Sequence, residues 1–409
     1  MLPLNRWLLT GARVAQASNI ASNLDIYIEN GRICSLQPPP LEPSVQFEKH
    51  SLSKINSRGM LILPGLINAH DHLEFALFPR LGTSTYPNAK EWALDIYHPD
   101  WPPIRELLQV PKPTRLFWGG LKNLLSGVTT VCHHNCYEPE IFESHFPVHV
   151  LKRFGWTHSF DFSKDVGEDF RKTPKGAPFF IHLAEGTDAK SREELQRFDR
   201  LGLLNPQTVI IHGVALNPND WELVKKRRAR LVWCPSSNLF TLGKTLESSI
   251  LQSGMEVALG NDSPLTAAGD LLDEIHCATQ LKVPPHRVYQ MVTESAARLM
   301  SLVQGEGRIF EGGAADLILV KDVGVSPAQR LSQLSQADIE LVLLRGQVML
   351  ASTLPASQLP PSVFGQMQRL LYSKKEFYVA ADISRHWAET VVTLGDKFRL
   401  GGKEIRLRL

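Results

Sequence analysis

Short apolar runs recur through the middle of the chain, and most of them end on a polar residue. They predict strands at 62–67, 128–132, 148–151, 179–183, 208–212, 230–234 and 256–260. Amphipathic segments such as 192–201 and 218–228 lie between them. Alternation of this kind predicts a parallel α/β sheet, because parallel neighbours need long, usually helical, connections. Eight such repeats close a (β/α)8 TIM barrel, here over 61–307, with seven strands read directly and the eighth inferred.

Both flanks have a different texture. Trp7-Leu8-Leu9-Thr10, Asp25-Ile26-Tyr27-Ile28 and Arg32-Ile33-Cys34-Ser35-Leu36 read as short strands, the last after the turn Glu29-Asn30-Gly31. A proline-rich connector follows at 38–43. Short strands return at 315–320 and 339–344. Together they predict one small composite β-sandwich domain built from both chain ends, 1–60 and 308–409, with a helical extension. That extension reads as two helical pieces, 362–373 and 382–394. A hairpin of 397–400 with 404–407 then turns at Gly401-Gly402. The segment 80–113, rich in Pro, Trp and Tyr, is expected to cover the barrel mouth.

Composition changes this picture little. A hydrophobic content of 43% and a charged content of 21% describe an ordinary globular protein. A net charge of +2 argues against a nucleic-acid partner, and the run Lys225-Lys226-Arg227-Arg228 reads as a solvated helix end. Five scattered cysteines give no C-x-x-C pair, hence no disulfide framework and no cysteine zinc site. Residues 1–7 lack the pattern of a signal peptide, and no apolar stretch suits a membrane span. A cytoplasmic protein acting on a small molecule is the expectation.

The strand ends carry the chemistry. Leu61-Ile62-Leu63-Pro64-Gly65-Leu66-Ile67-Asn68-Ala69 runs into His70-Asp71-His72, and side chains two apart on a strand share one side. His182, His212 and Asp262 close three further apolar runs. Singly, each has an ordinary reading: a polar pair closing a strand, a satisfied core histidine, a helix cap. Five ligand-type residues at strand ends, all running one way, point to a divalent metal.

At this point the chain resembles the amidohydrolase superfamily, in its mononuclear deaminase and triazine-hydrolase branch. The matching pieces are Pro64-Gly65-Leu66-Ile67-Asn68-Ala69-His70-Asp71-His72, His182-Leu183-Ala184-Glu185, Ile211-His212-Gly213, Cys234-Pro235-Ser236-Ser237-Asn238-Leu239 and Gly260-Asn261-Asp262-Ser263. The resemblance implies that His70, His72, His182 and Asp262 ligate one divalent ion, usually Zn2+, with Fe2+ as the alternative. Such a ligand set leaves a position open for water and lowers its pKa toward neutrality. It also implies three catalytic roles. Asp262 takes the water's proton, His212 hydrogen-bonds the water and the developing oxyanion, and Glu185 protonates a ring nitrogen and then the leaving amine. Lys152, the nearest candidate for a carbamylated two-metal centre, reads instead as a solvated residue.

The expected activity is therefore hydrolysis of a non-peptide C–N bond, deaminating a cyclic amidine or amino-heterocycle. Ring-opening amide hydrolysis, displacement of chloride or alkylamine from a triazine-type ring, and a catalytically inactive scaffold are the alternatives. His134, His158, Trp92 and Trp101 are candidate substrate contacts, with Tyr97 as a further ring to stack on. No cation is read as positioned to meet a substrate carboxylate or phosphate, Arg80 being the only near candidate. A homodimer is left open by the architecture.

Overall fold

A computed structural model describes residues 6–40, 52–83 and 85–408. Residues 1–5, 41–51, Ser84 and Leu409 lie outside it, and with them most of the region read for a signal peptide and the end of the proline connector. Five strands open the chain: β1 (Trp7–Ala17), β2 (Ile20–Glu29), β3 (Arg32–Gln37), β4 (Ser53–Asn56) and β5 (Met60–Pro64). Eight short strands follow: β6 (Leu66–Asp71), β7 (Val128–His133), β8 (His149–Val150), β9 (Gly155–Thr157), β10 (Phe179–Leu183), β11 (Thr208–His212), β12 (Arg230–Trp233) and β13 (Val257–Leu259). The chain closes with β14 (Leu317–Lys321), β15 (Ile339–Leu344), β16 (Gln347–Ser352), β17 (Gln368–Tyr372), β18 (Lys375–Val379), β19 (Arg399–Leu400) and β20 (Lys403–Arg408).

The two chain ends share one sheet, in the order β19-β20-β17-β18-β16-β15-β14-β5-β1-β2-β3, with β4 on β1. It has its own apolar cluster, built on residues such as Trp7, Leu9, Ile26, Leu317 and Leu341. The single strand expected at 62–67 is two strands in different sheets. Gly65 divides them, because a Cβ there would sit 2.3 Å from Thr129 Oγ1. β5 pairs with β14 and β1, while β6 pairs with β7.

Every described pairing among β6–β13 is parallel, as β6-β7-β8 and β9-β10-β11-β12-β13. A parallel bridge between Asp71 and Asp262 joins β6 to the residues after β13. At the other junction only residues 151–154 separate β8 from β9. That is too short for a parallel crossover, so the two continue along one bent course from β7 to β10. The fold is thus mixed α/β of the TIM-barrel type, and the strand not read from the sequence is β9, three residues long with no helix before it.

Alternation sets the layers. Phe180, Val209, Ile211, Val232 and Ala258 pack in one inner cluster. Phe179, Ile181, Ile210, Leu231 and Val257 face outward to the helices. His182, two residues beyond Phe180, therefore points inward at the strand end.

The piece expected to be a helix at 362–373 is a short helix, Pro361–Phe364, followed by β17, where Leu370 and Tyr372 alternate inward. The second helix is present as Ile383–Leu394, and the hairpin forms as β19 with β20. Among the described residues no helix is long and apolar enough to cross a membrane.

Candidate active site

Two histidines reach the site because β6 carries an extra residue. Asn68 opposes Val131 and Asp71 opposes His133, so three steps on β6 match two on β7. Ile67 and Ala69 point into the inner cluster. Strict alternation would aim Asp71 inward as well; the bulge instead turns His70 and His72 inward and Asp71 out. Similar re-aiming occurs at the other strand ends. Ala184, His212 and Asp262 have φ of 56°, 72° and 58°, a region that non-glycine residues seldom occupy and that collects at functional sites.

The other three expected ligands lie around His70. His70 and His182 bring their Nε2 atoms to 3.1 Å. Asp262 Oδ1 lies 3.5 Å from Nε2 of both His70 and His72. Asp262 Oδ2 accepts hydrogen bonds from Ser237 Oγ at 2.6 Å and Thr266 Oγ1 at 3.0 Å, which fix the carboxylate plane. His212 Nδ1 is 2.7 Å from Asn238 Oδ1. An amide oxygen only accepts, so Nδ1 is the donor in this contact and Nε2 faces the site. That Nε2 is 3.4 Å from Glu185 Oε1. Ser237 and Asn238 sit in the first turn of the Pro235–Leu242 helix. Buried Glu274 accepts from the N–H and hydroxyl of Ser236 at the same helix start, and burial pushes its carboxyl up to about 8 against these bonds.

Burial sets the charges. It pushes the His70 imidazole down to about 3, against the hydrogen bond and charge of Asp262, so this ring is neutral at physiological pH. Burial together with neighbouring imidazoles holds His182 and His134 well below the ordinary range. Asp262 is driven up by burial, but the His70 hydrogen bond and the charges of His212 and His72 overcome this and hold it below the usual carboxylate range. Burial raises Glu185, His212 pulls it down, and Asp262 and Glu194 push it up again, leaving it at about 7.

These residues fit a metal ion. His70, His72 and Asp262 offer ligand atoms within 4.8 Å of one another, as do His70, His182 and His212. Neutral imidazoles and an ionised carboxylate are the forms a cation binds. The buried Nε2 of His212 has no hydrogen-bond partner among the described residues.

A cavity of about 430 Å³ opens above the site. The segment expected to cover it does so through the Ala89–Ile96 helix, which contributes Trp92, Ile96 and nearby Tyr97. Backbone bonds pin this cover to two strand-end loops and to the Pro235–Leu242 helix: Ala89 N–H to Glu185 O (3.1 Å), Leu81 N–H to Leu265 O (3.0 Å) and Tyr86 N–H to Thr241 O (2.8 Å). Of the candidate substrate contacts, His158 and Trp92 line the cavity. His134 lies beneath it, stacked 4.4 Å from His182 with Nε2 on the Thr157 carbonyl. Trp101 is elsewhere, 63% exposed and stacked on His98, because the chain turns outward after the covering helix.

Arg80 is also off the cavity, over the Phe240 ring. The cations that do line it are Lys90 and Lys190, both paired with Asp161, and neither was read from the sequence. Lys152 is exposed and paired with Glu143.

Residues 149–349 match the family model described as the amidohydrolase family. Over that stretch the chain is similar to the amidohydrolase family. Relatives of the chain include a 5-methylthioadenosine/S-adenosylhomocysteine deaminase of Syntrophobacter fumaroxidans, 25% identical over 72% of this chain and 79% of that one. A 5'-deoxyadenosine deaminase of Methanothrix thermoacetophila is 24% identical over 76% and 85%. Among solved structures, an adenosine deaminase from Xanthomonas campestris with bound zinc superposes with a TM-score of 0.69 at 16% identity, covering 94% of this chain and 97% of its own. A triazine hydrolase variant superposes at 0.66 with 18% identity, covering 95% and 99%. The last two show a shared fold.

Proposed function

We propose that the protein is a metal-dependent deaminase that replaces the exocyclic amino group of a flat heterocycle by oxygen, releasing ammonia. The observation that carries this reading is Glu185. It is a largely buried carboxyl at about 7, facing His212 at 3.4 Å beside the four expected ligands, in a cavity walled by rings. His70, His72, His182 and Asp262 would hold one divalent ion, for which zinc suits the nitrogen-rich donor set. The ion would supply a water acidified toward neutrality.

The side chains do the rest. Asp262 Oδ1 takes a proton from the attacking water, while Ser237 and Thr266 keep the other oxygen in place. His212 Nε2 hydrogen-bonds that water and then the developing oxyanion, its ring held in place by the Nδ1–Asn238 contact. Glu185 gives its proton to the ring nitrogen adjacent to the attacked carbon. As the ketone forms, it takes the remaining proton from the added hydroxyl and passes it to the departing amine. It is reset by the proton that Asp262 took from the water. Substrate plus water becomes the ring ketone plus ammonia.

The names of the relatives make adenine nucleosides with a modified 5' end the first substrates to try. Residues 61–307 are taken as the catalytic (β/α)8 barrel and 1–60 with 308–409 as a composite β-sandwich domain. The shared sheet of the chain ends and its separate apolar cluster support that division. An ammonia-release screen over adenine nucleosides, other amino-purines, amino-pyrimidines, pterins and triazines tests the function. Ammonia from at least one class, lost in Glu185→Gln, is expected. Turnover of a cyclic amide or chlorotriazine without ammonia would overturn it.

A further inference from the structure

The face of β6 turned away from the cavity holds a fully buried ion pair. Lys122, on the Lys112–Leu125 helix, has no exposed surface. Its Nζ lies 3.0 Å from Asp71 Oδ2, 3.2 Å from Asp71 Oδ1 and 2.5 Å from Asn261 Oδ1. Asp71 stands between His70 and His72, and Asn261 directly precedes Asp262. One ammonium therefore ties together the two segments that carry three of the four expected ligands. Amides complete the net. Asn123 Nδ2 donates to Asp71 Oδ2 at 2.7 Å, and the Asn261 N–H donates to Asn68 Oδ1 at 3.1 Å.

The C-terminal hairpin closes over this pair. The Gly401 N–H donates to Ala76 O at 2.9 Å. A Cβ at Gly401, where φ is +55°, would sit 3.2 Å from Lys122 Cδ. Lys403, the first residue of β20, anchors the turn on Asp270 and Asp273. Burying a lysine and an aspartate costs solvation that the pair only partly recovers, so such a pair is weak evidence for stability as such. Its placement between ligand segments gives it another use.

We propose that Lys122 is a positioning residue for the metal centre. Its ammonium clamps the His70–His72 strand end to the Asn261–Asp262 segment, and the hairpin turn at Gly401-Gly402 keeps that clamp dry. Partners that orient metal ligands are commonly worth about 10–100-fold in metal affinity or activity. The inference rests on the proposed ligation by His70, His72 and Asp262.

The test is zinc release from the full-length holoprotein into excess chelator. Lys122→Met should release zinc about tenfold faster or more. The double variant D71N/K122M leaves no charge unpaired, so it should regain thermal stability yet still release zinc quickly. Should Lys122→Met fail to fold, the double variant decides. Parent-like release in the double variant would overturn the clamp. Lys403→Ala should release zinc a few-fold faster, with quicker hydrogen exchange over 397–408; a loosened hairpin with unchanged release would overturn the cap. A parent protein that holds no zinc would instead overturn the metal reading itself. A zinc-holding parent whose release is unmoved in K122M overturns only the clamp.

Discussion

The sheet of the chain ends and the mouth of the barrel treat the same backbone freedom in opposite ways. In the sheet, positive φ falls on Asn30-Gly31 and Arg345-Gly346, the two-residue turns of tight hairpins, where the strand twist calls for it. At the mouth it falls on Ala184, His212 and Asp262, where no hairpin requires it. Polar atoms divide the same way. The Trp7 indole N–H is satisfied by the Gly346 carbonyl at 2.9 Å, whereas Nδ1 of His70 and His72 and Nε2 of His212 have no partner among the described residues. One region is built to be self-sufficient. The other is held by its surroundings in a form that only a ligand completes.

Substitutions can break that contrast if it is wrong. The largest effect is expected for Glu185→Gln, with a loss of about 10²–10⁴-fold in kcat and little change in melting temperature. Because the protonated carboxyl delivers the proton and titrates at about 7, kcat/KM of the parent should fall as pH rises through neutrality. That limb should be missing from the residual activity of the variant. A pH profile that keeps it would remove Glu185 from the proton path. In the sheet, Trp7→Ala should cost about 3–5 kcal/mol in denaturant unfolding, while the folded fraction turns over at the parent rate. Impaired turnover there would mean the two regions are not separate.

Smaller changes sharpen it. Ser237→Ala removes one of two donors to Asp262 Oδ2 and should lower metal affinity or activity about 10–100-fold, read by chelator competition. Trp92→Ala should raise KM about three- to tenfold, the worth of one ring contact. Trp101→Ala, outside the cavity, should stay within about twofold of the parent.

Legibility in the sequence followed the same divide. Apolar runs ending on His70, His182, His212 and Asp262 are one-dimensional signals, so the parallel strands could be read from them, and the residues proposed as ligands stood out at their ends. β9 could not: three residues without a preceding helix leave no periodic trace. The helix expected over 362–373 failed because local propensity lost to an edge-to-edge pairing with β18 and β20.

Trp92 and Trp101 are equivalent as sequence, and only the direction of the chain after Ile96 separates them. Lys122 was invisible for a plainer reason. On an amphipathic helix a lysine reads as surface, and its burial depends on Asp71, Asn261 and a turn at Gly401, all far away along the chain. Ser237 and Asn238 lay in a quoted motif, but their partners needed the fold.

The central claim is that His70, His72, His182 and Asp262 hold one catalytic metal ion. It is tested most directly by elemental analysis of the purified protein alongside His70→Ala. The account predicts about one equivalent of zinc in the parent and close to none in a folded His70→Ala protein, whose activity is lost with the metal. A parent that turns over substrate with no bound metal, or a His70→Ala protein that keeps a full equivalent, would contradict it.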